Sequence, residues 1–216
     1  MTLIEIITKI SSGIGATFII FFTTLLFAIP LGLPICFAKM SKHKIFSIPA
    51  TILISILRGT PLMLQLIVWF FAPYYVFGIR LNPNWRLLSV IIGFSINYAA
   101  YFAEIYRSGI QSIPLGQKEA AYILGYTRKQ TFRKIVLPQM VKRVIPPMTN
   151  EIITLIKDTS LAFVVAYAET FTIAKQVAAA ESNIIPLFVA GIFYYVFNYV
   201  VAYFMEFVER KFNYYN

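Results

Sequence analysis

Charge is absent from Ile10 to Ala38, and uncharged apolar stretches recur further along the chain at lengths that match a membrane. A helix of ~20 mostly apolar residues crosses the hydrocarbon layer, so the pattern predicts spans at about 12–38, 48–74, 86–107, 144–168 and 184–208. The first contains Pro30 and Pro34, which are expected to kink its inner end. The second is interrupted by Arg58-Gly59-Thr60-Pro61, and the third is uncharged from Leu87 to Ala103. The fourth carries Glu151, Lys157 and Asp158, whereas the fifth has no charge between Ser182 and Met205. Residues 1–11, with Thr2, Glu5 and Lys9 among Leu and Ile, read as a helix lying at the interface. The expected fold is all-α: a polytopic membrane domain over residues 1–216 with five transmembrane helices and termini on opposite sides.

Orientation follows from the basic residues. Of the 19 Lys and Arg, 13 fall in one set of loops (Lys39 to Lys44, Arg107 to Arg143, Arg210 and Lys211). Only Lys9, Arg80, Arg86 and Lys175 fall in the other set, with Arg58 and Lys157 inside spans. Positive residues are retained on the cytoplasmic side, which places the 108–143 loop and the C-terminus inside the cell and the N-terminus outside.

Composition narrows the class. Hydrophobic residues make up 59% and charged residues 13%, about half the charge of a water-soluble domain. The net charge of +10 does not indicate nucleic acid, because the cations sit between apolar runs. Cys36 is the sole cysteine and His43 the sole histidine, so no disulfide and no metal site is expected. The first residues lack a small-residue cleavage signal after a basic start, and no removed leader is expected.

Between the third and fourth spans lies a polar, basic stretch that cannot sit in hydrocarbon. It contains Glu119-Ala120-Ala121, then Gly125, then Ile135, Leu137 and Pro138. Ala120, Ala121, Ile123 and Leu124 can form an apolar face, with Gln117, Lys118, Arg128 and Lys129 in water. Gly125 permits a turn at positive φ, and Pro138 suits the first turn of a new helix.

This spacing resembles the EAA loop of the inner-membrane permease subunits of bacterial ABC importers, a cytoplasmic coupling helix that docks on an ATP-binding subunit. By that resemblance Glu119, Ala120, Ala121, Gly125, Leu137 and Pro138 are the coupling residues within a loop at 114–138. Arg58-Gly59-Thr60-Pro61-Leu62, Glu104 to Ile110, Gly116-Gln117 and Lys157 to Leu161 are similar to segments of the polar amino acid uptake permeases. One departure is Ser108-Gly109, where that family often has Gly-Gly. The resemblance implies a bacterial cell-membrane subunit paired with itself or a close homologue. It also implies two ATP-binding partners that hold ATP and Mg, and an extracytoplasmic substrate-binding protein. The chain itself lacks the GxxxxGK[ST] phosphate loop, so no cofactor is expected on it.

Ionisable residues inside a span are costly and by default mark a pathway. At 1.5 Å per residue, Arg58 and Thr60 lie about 17–20 Å into the second span. Asn97, Tyr98 and Tyr101 lie about 18–24 Å into the third, and Asp158 and Ser160 about 21–24 Å into the fourth. Three helices thus bring polar groups to one depth, where transporter sites commonly lie. The candidate substrate-binding set is Arg58, Gly59, Thr60, Tyr98, Tyr101, Asp158 and Ser160. Asp158 suits an ammonium or guanidinium group; the tyrosines offer faces for stacking; backbone groups freed around Gly59 and Pro61 suit a carboxylate. The competing reading is that Arg58 or Lys157 neutralises Asp158 structurally. Glu104 is expected to pair with Arg107, Glu151 to lie near the inner face, and Tyr194, Tyr195, Tyr199, Tyr203, Trp69, Phe70 and Phe71 to meet lipid or its interface.

The function this supports is that of a permease subunit of an ATP-driven importer for polar, basic amino acids such as arginine, lysine or histidine. Glutamine and cystine stand as alternatives. A membrane-embedded enzyme lacks a nucleophile–base pair or paired carboxylates here, and a passive channel has no use for a docking helix.

Overall fold

The computed structural model describes residues 1–212, which form helices and turns with no strand among them. A capping box closes the N-terminus of α1 (Leu3–Ser11): the Thr2 hydroxyl accepts from the Glu5 amide while the Glu5 carboxylate accepts from the Thr2 amide. α2 (Ile14–Lys39) runs unbroken through Pro30 and Pro34. Beside Pro30 the Tyr106 hydroxyl of a neighbouring helix donates to the Ile29 carbonyl at 3.1 Å.

The second apolar stretch is two helices, α3 (Lys44–Gly59) and α4 (Leu62–Phe77), bent by 112° at Thr60-Pro61. Then come α5 (Trp85–Gln111), α6 (Leu115–Ile123), α7 (Arg128–Thr131) and a π-turn at Phe132–Val136. The π-turn leads without a break into α8 (Leu137–Asp158), which continues as a 3₁₀ segment, Thr159–Val165. α9 (Thr170–Ala180) and α10 (Ile185–Phe212) complete the described chain.

α5 is the axis of the molecule. Small residues on it, Ala99, Ala100 and Ala103, are fully buried and let neighbouring backbones approach, as in membrane bundles generally. α2 runs parallel to it, with Gly32 against Phe102 and Ala103 and Lys39 reaching Glu104. Between these two parallel helices the chain returns alongside α5 through the bent pair. α4 makes most of that return: Gln65 bonds Asn97 at 2.9 Å, and the Trp85 indole donates to the Phe70 carbonyl at 2.9 Å. α8 also runs antiparallel to α5, from Arg143 on the Ser112 carbonyl to Asp158 on Tyr98. α10 lies beside α2, with Phe197 edge-on to Phe18 and Phe21 at 4.7 and 5.1 Å.

Among the described residues three helices are long and apolar enough to cross a membrane, and the bent pair makes a fourth if it is one span. α8 is set apart by its charges. It begins at Leu137, before the expected 144, and regular α-helix ends at Asp158 instead of continuing to 168.

At the far end, Glu169 caps α9. Its carboxylate is fully buried and accepts from the Phe171 and Thr172 amides at 2.7 and 2.6 Å and from the Tyr194 hydroxyl at 2.7 Å. Tyr194 is thus a partly buried bundle residue, contrary to its reading as part of the lipid belt. Thr170 bonds Thr17 of α2 at 2.8 Å, so α2, α9 and α10 are pinned together there.

Candidate functional site

The break between α3 and α4 has a sequence cause. In a continuous helix the Leu57 carbonyl would accept from residue 61, but Pro61 has no N–H. The chain satisfies that carbonyl otherwise: the Gln65 and Asn97 amides both donate to it, at 2.9 and 3.1 Å. The Thr60 carbonyl also accepts from Gln65, at 3.2 Å, and the Thr60 hydroxyl donates to Ile56. The backbone groups expected to be free for a ligand around Gly59 and Pro61 are thus in large part taken by the protein itself. Gln65 is not among the residues singled out above, and Asn97 is singled out for its depth but not as a substrate-binding residue. A Pro four residues after a carbonyl, followed by a Gln inside an apolar helix, was the signal that pointed to them.

Arg58, at the end of α3, turns from this knot toward α5. Its guanidinium lies 5.1 Å from the Tyr101 ring centroid and 3.7 Å from Glu104, a stacked cation with a carboxylate at its edge. Glu104 also holds Lys39 at 2.6 Å and Arg107 at 2.8 Å. One half-buried carboxylate thus gathers cations from α2, α3 and α5, and the expected Arg107 pair is only one of three. Arg58, Tyr101, Glu104, Arg107, Arg143 and Glu151 line a cavity of about 410 Å³. Glu151 makes no ion pair or side-chain hydrogen bond among the described residues.

The remaining candidates sit elsewhere. Asp158 accepts the Tyr98 hydroxyl at 2.7 Å, and neither Arg58 nor Lys157 pairs with it, so the structural ion pair is not formed. Tyr98 is buried, and Asp158 half-buried. Ser160 donates to the Lys157 carbonyl at 2.7 Å. Gly59 and Thr60 are exposed, and a side chain at Gly59 would meet no neighbour. Seven residues separate Glu151 from Asp158, two turns on one face of α8. Tyr98, Tyr101 and Glu104 follow each other at helical spacing on α5. The arrangement is a polar ladder between α5 and α8: Tyr98–Asp158 at one level, Arg58–Tyr101–Glu151 below it, Glu104 with its cations at the basic end. A larger groove of about 590 Å³ lies between α2 and α10, but Phe18, Phe21, Phe197 and other apolar groups line it.

The 114–138 segment projects beyond the basic end. Gly125 adopts φ +81°, the left-handed turn expected of it, and a capping box at Thr127 and Gln130 starts α7. Of the expected apolar face, only Ala121 is buried; Ile123 and Leu124 are 86% and 76% exposed, and Glu119, Ala120, Leu137 and Pro138 are exposed as well. Pro138 stands in the first turn of α8. Gln139 of α8 donates to Gln117 of α6 at 2.6 Å, tying the projecting helix to the ladder's own helix.

Comparison with known proteins agrees with this architecture. A probable amino-acid ABC transporter permease protein, YckA, of Bacillus subtilis (strain 168) is 35% identical over 98% of this chain and 92% of its own length. The arginine transport system permease protein ArtQ of the same organism is 34% identical over 94% and 91%. The crystal structure of an amino acid ABC transporter with histidines superposes at a TM-score of 0.88, with 28% identity, covering 98% of this chain and all of that one. The inward-facing MetNI methionine ABC transporter shares the fold, at a TM-score of 0.74 and 17% identity. Residues 25–214 match the binding-protein-dependent transport system inner membrane component family, and the chain belongs to that family: it is a membrane-embedded transport component and not an enzyme.

Proposed function

We propose that this chain is the permease subunit of an ATP-driven importer for polar amino acids, with basic ones favoured. It would sit in the bacterial cell membrane with its N-terminus outside and its C-terminus in the cytoplasm, as a five-span subunit. It pairs with itself or a close homologue, two ATP-binding subunits drive it, and an extracytoplasmic binding protein delivers the substrate.

The observation that carries this reading is the cavity lined by Arg58, Tyr101 and Glu151, two turns along α8 from Asp158. A zwitterion needs a cation for its carboxylate and an anion for its ammonium, and a basic side chain needs a second anion, which Asp158 supplies. Asp158, Ser160, Thr60, Gly59, Arg58, Tyr98 and Tyr101 then form the wall of the path. Arg58, Gly59, Thr60, Lys157 and part of Asp158 are open to the surroundings at mid-depth, which lipid would not tolerate but a facing second copy would cover. The exposed Ile123 and Leu124 fit an apolar cleft on an ATP-binding subunit, with Glu119, Ala120, Ala121, Gly125, Leu137 and Pro138 shaping the lever. The relatives are named for arginine, L-cystine and glutamine transport, so the basic preference rests on Asp158 and Glu151. Uptake of labelled L-arginine, L-glutamine and L-cystine into proteoliposomes holding the assembled transporter tests it. Arginine uptake above the other two supports the reading; glutamine or cystine uptake alone removes the basic preference.

A further inference from the structure

Gln65 and Asn97 are buried, polar and deep inside the bundle, and Thr60 is the one residue of the path described above that either side chain bonds. Their amides converge on the carbonyl of Leu57, the residue that precedes Arg58. Asn97 donates to that carbonyl at 3.1 Å and to the Gln65 side-chain oxygen at 2.9 Å. The Gln65 amide nitrogen shares its two hydrogens among the same carbonyl at 2.9 Å, the Thr60 carbonyl at 3.2 Å and the Thr60 hydroxyl at 2.9 Å. Thus one side chain from α4 and one from α5 grip both sides of the α3–α4 break. They stand in for the N–H that Pro61 lacks, through buried hydrogen bonds to the Leu57 carbonyl. Donor and acceptor are used on Gln65, and both donor directions on Asn97, so the pair admits one arrangement of the break.

The consequence falls on Arg58. Its guanidinium is the sole cation of α3 within reach of Tyr101 and Glu104, and it is carried on the peptide unit whose carbonyl the clip holds. A helix end free to swing by one rotamer moves a long side chain by several ångströms. We infer that Gln65 and Asn97 are positioning residues for substrate binding: they fix the break so that Arg58 reaches the cavity in the geometry that accepts a carboxylate. This rests on the proposed function for the identity of the ligand, though not for the geometry.

The test is made on the assembled transporter in proteoliposomes, with labelled L-arginine as probe and L-glutamine and L-cystine in parallel. Gln65→Leu and Asn97→Leu are each expected to raise KM about tenfold while maximal uptake stays within threefold. Neither is expected to raise KM further in an Arg58→Ala background, because the residue being positioned is gone. A residue that merely stabilised the fold would lower the amount of assembled transporter and maximal uptake in both backgrounds and leave KM alone; that result overturns the inference. If the leucine variants do not assemble, Gln65→Asn, one methylene short, replaces them with the same two criteria. Independently of transport, an Arg58→Cys chain is reacted with a charged water-soluble thiol reagent, the native Cys36 being buried. Adding Gln65→Leu or Gln65→Asn is expected to change the reaction rate at position 58 at least fivefold, and an unchanged rate refutes the clip. Should none of the three amino acids be taken up by the unmutated transporter, the proposed function fails while the thiol rates still decide the clip.

Discussion

The Tyr98 hydroxyl donates to Oδ2 of Asp158 at 2.7 Å, joining the middle of α5 to the last residue of α8. The bond leaves the carboxylate its charge and its second oxygen. Replacing Asp158 with Asn keeps an acceptor for Tyr98 and removes the charge. Arginine uptake is expected to fall tenfold or more, since a charge-assisted contact contributes about 1.5–3 kcal/mol, while glutamine uptake falls less. Equal losses for both in the same proteoliposomes would remove the cation argument.

Glu104 offsets Lys39, Arg107 and Arg58 at once, with its side chain only 12% exposed. Glu104→Gln strands those cations, and breaking such a group costs about 3–5 kcal/mol when one partner is removed, less here because Arg58 and Arg107 are partly in water. Thermal unfolding in detergent should register a drop of several degrees. A variant as stable as the parent would show that the cluster is not holding α2, α3 and α5 together.

At Gly109, α5 packs closely against α8. A β-carbon there would lie 2.3 Å from Val144 Cγ1 and 3.3 Å from Met140 Cγ, and a β-branched valine has little freedom to withdraw. Gly109→Ala is expected to destabilise by about 1–3 kcal/mol through overpacking. Combining it with Val144→Ala should restore much of the loss, as measured by the same unfolding assay.

Ile123 is 86% exposed, so Ile123→Asp should change the stability of the isolated chain by no more than about 0.5 kcal/mol. Association with the ATP-binding subunits and substrate-driven ATP hydrolysis should fall together. Gly125→Val acts differently, because a β-branched residue at φ +81° is strained. It should uncouple transport from ATP by deforming the turn after α6. Undiminished uptake in either variant would count against the lever.

Lys118 and Arg128 lie on the projecting segment at the basic end of the bundle. Cysteines placed there are expected to react with a membrane-impermeant reagent only after the membrane is opened. Reaction in intact cells would put the segment on the wrong side and end the coupling proposal.

The residues alone determined a good deal: the helical class, the apolar segments and the exposed 114–138 segment with its turn at Gly125. These are local matters, since an uncharged run of sufficient length, a proline without an N–H, or a glycine free to take positive φ acts through the backbone it belongs to. Packing decided the rest. Whether α8 stays regular beyond Asp158, which cation Glu104 takes, and whether Tyr194 meets lipid or Glu169 all depend on neighbours distant in sequence. Arg58 and Asp158 lie at one depth on paper, yet they turn to different partners once α3 is bent. Asn97 stood out by its depth alone and Gln65 not at all, because the purpose of this amide pair exists only where two helices meet a broken third.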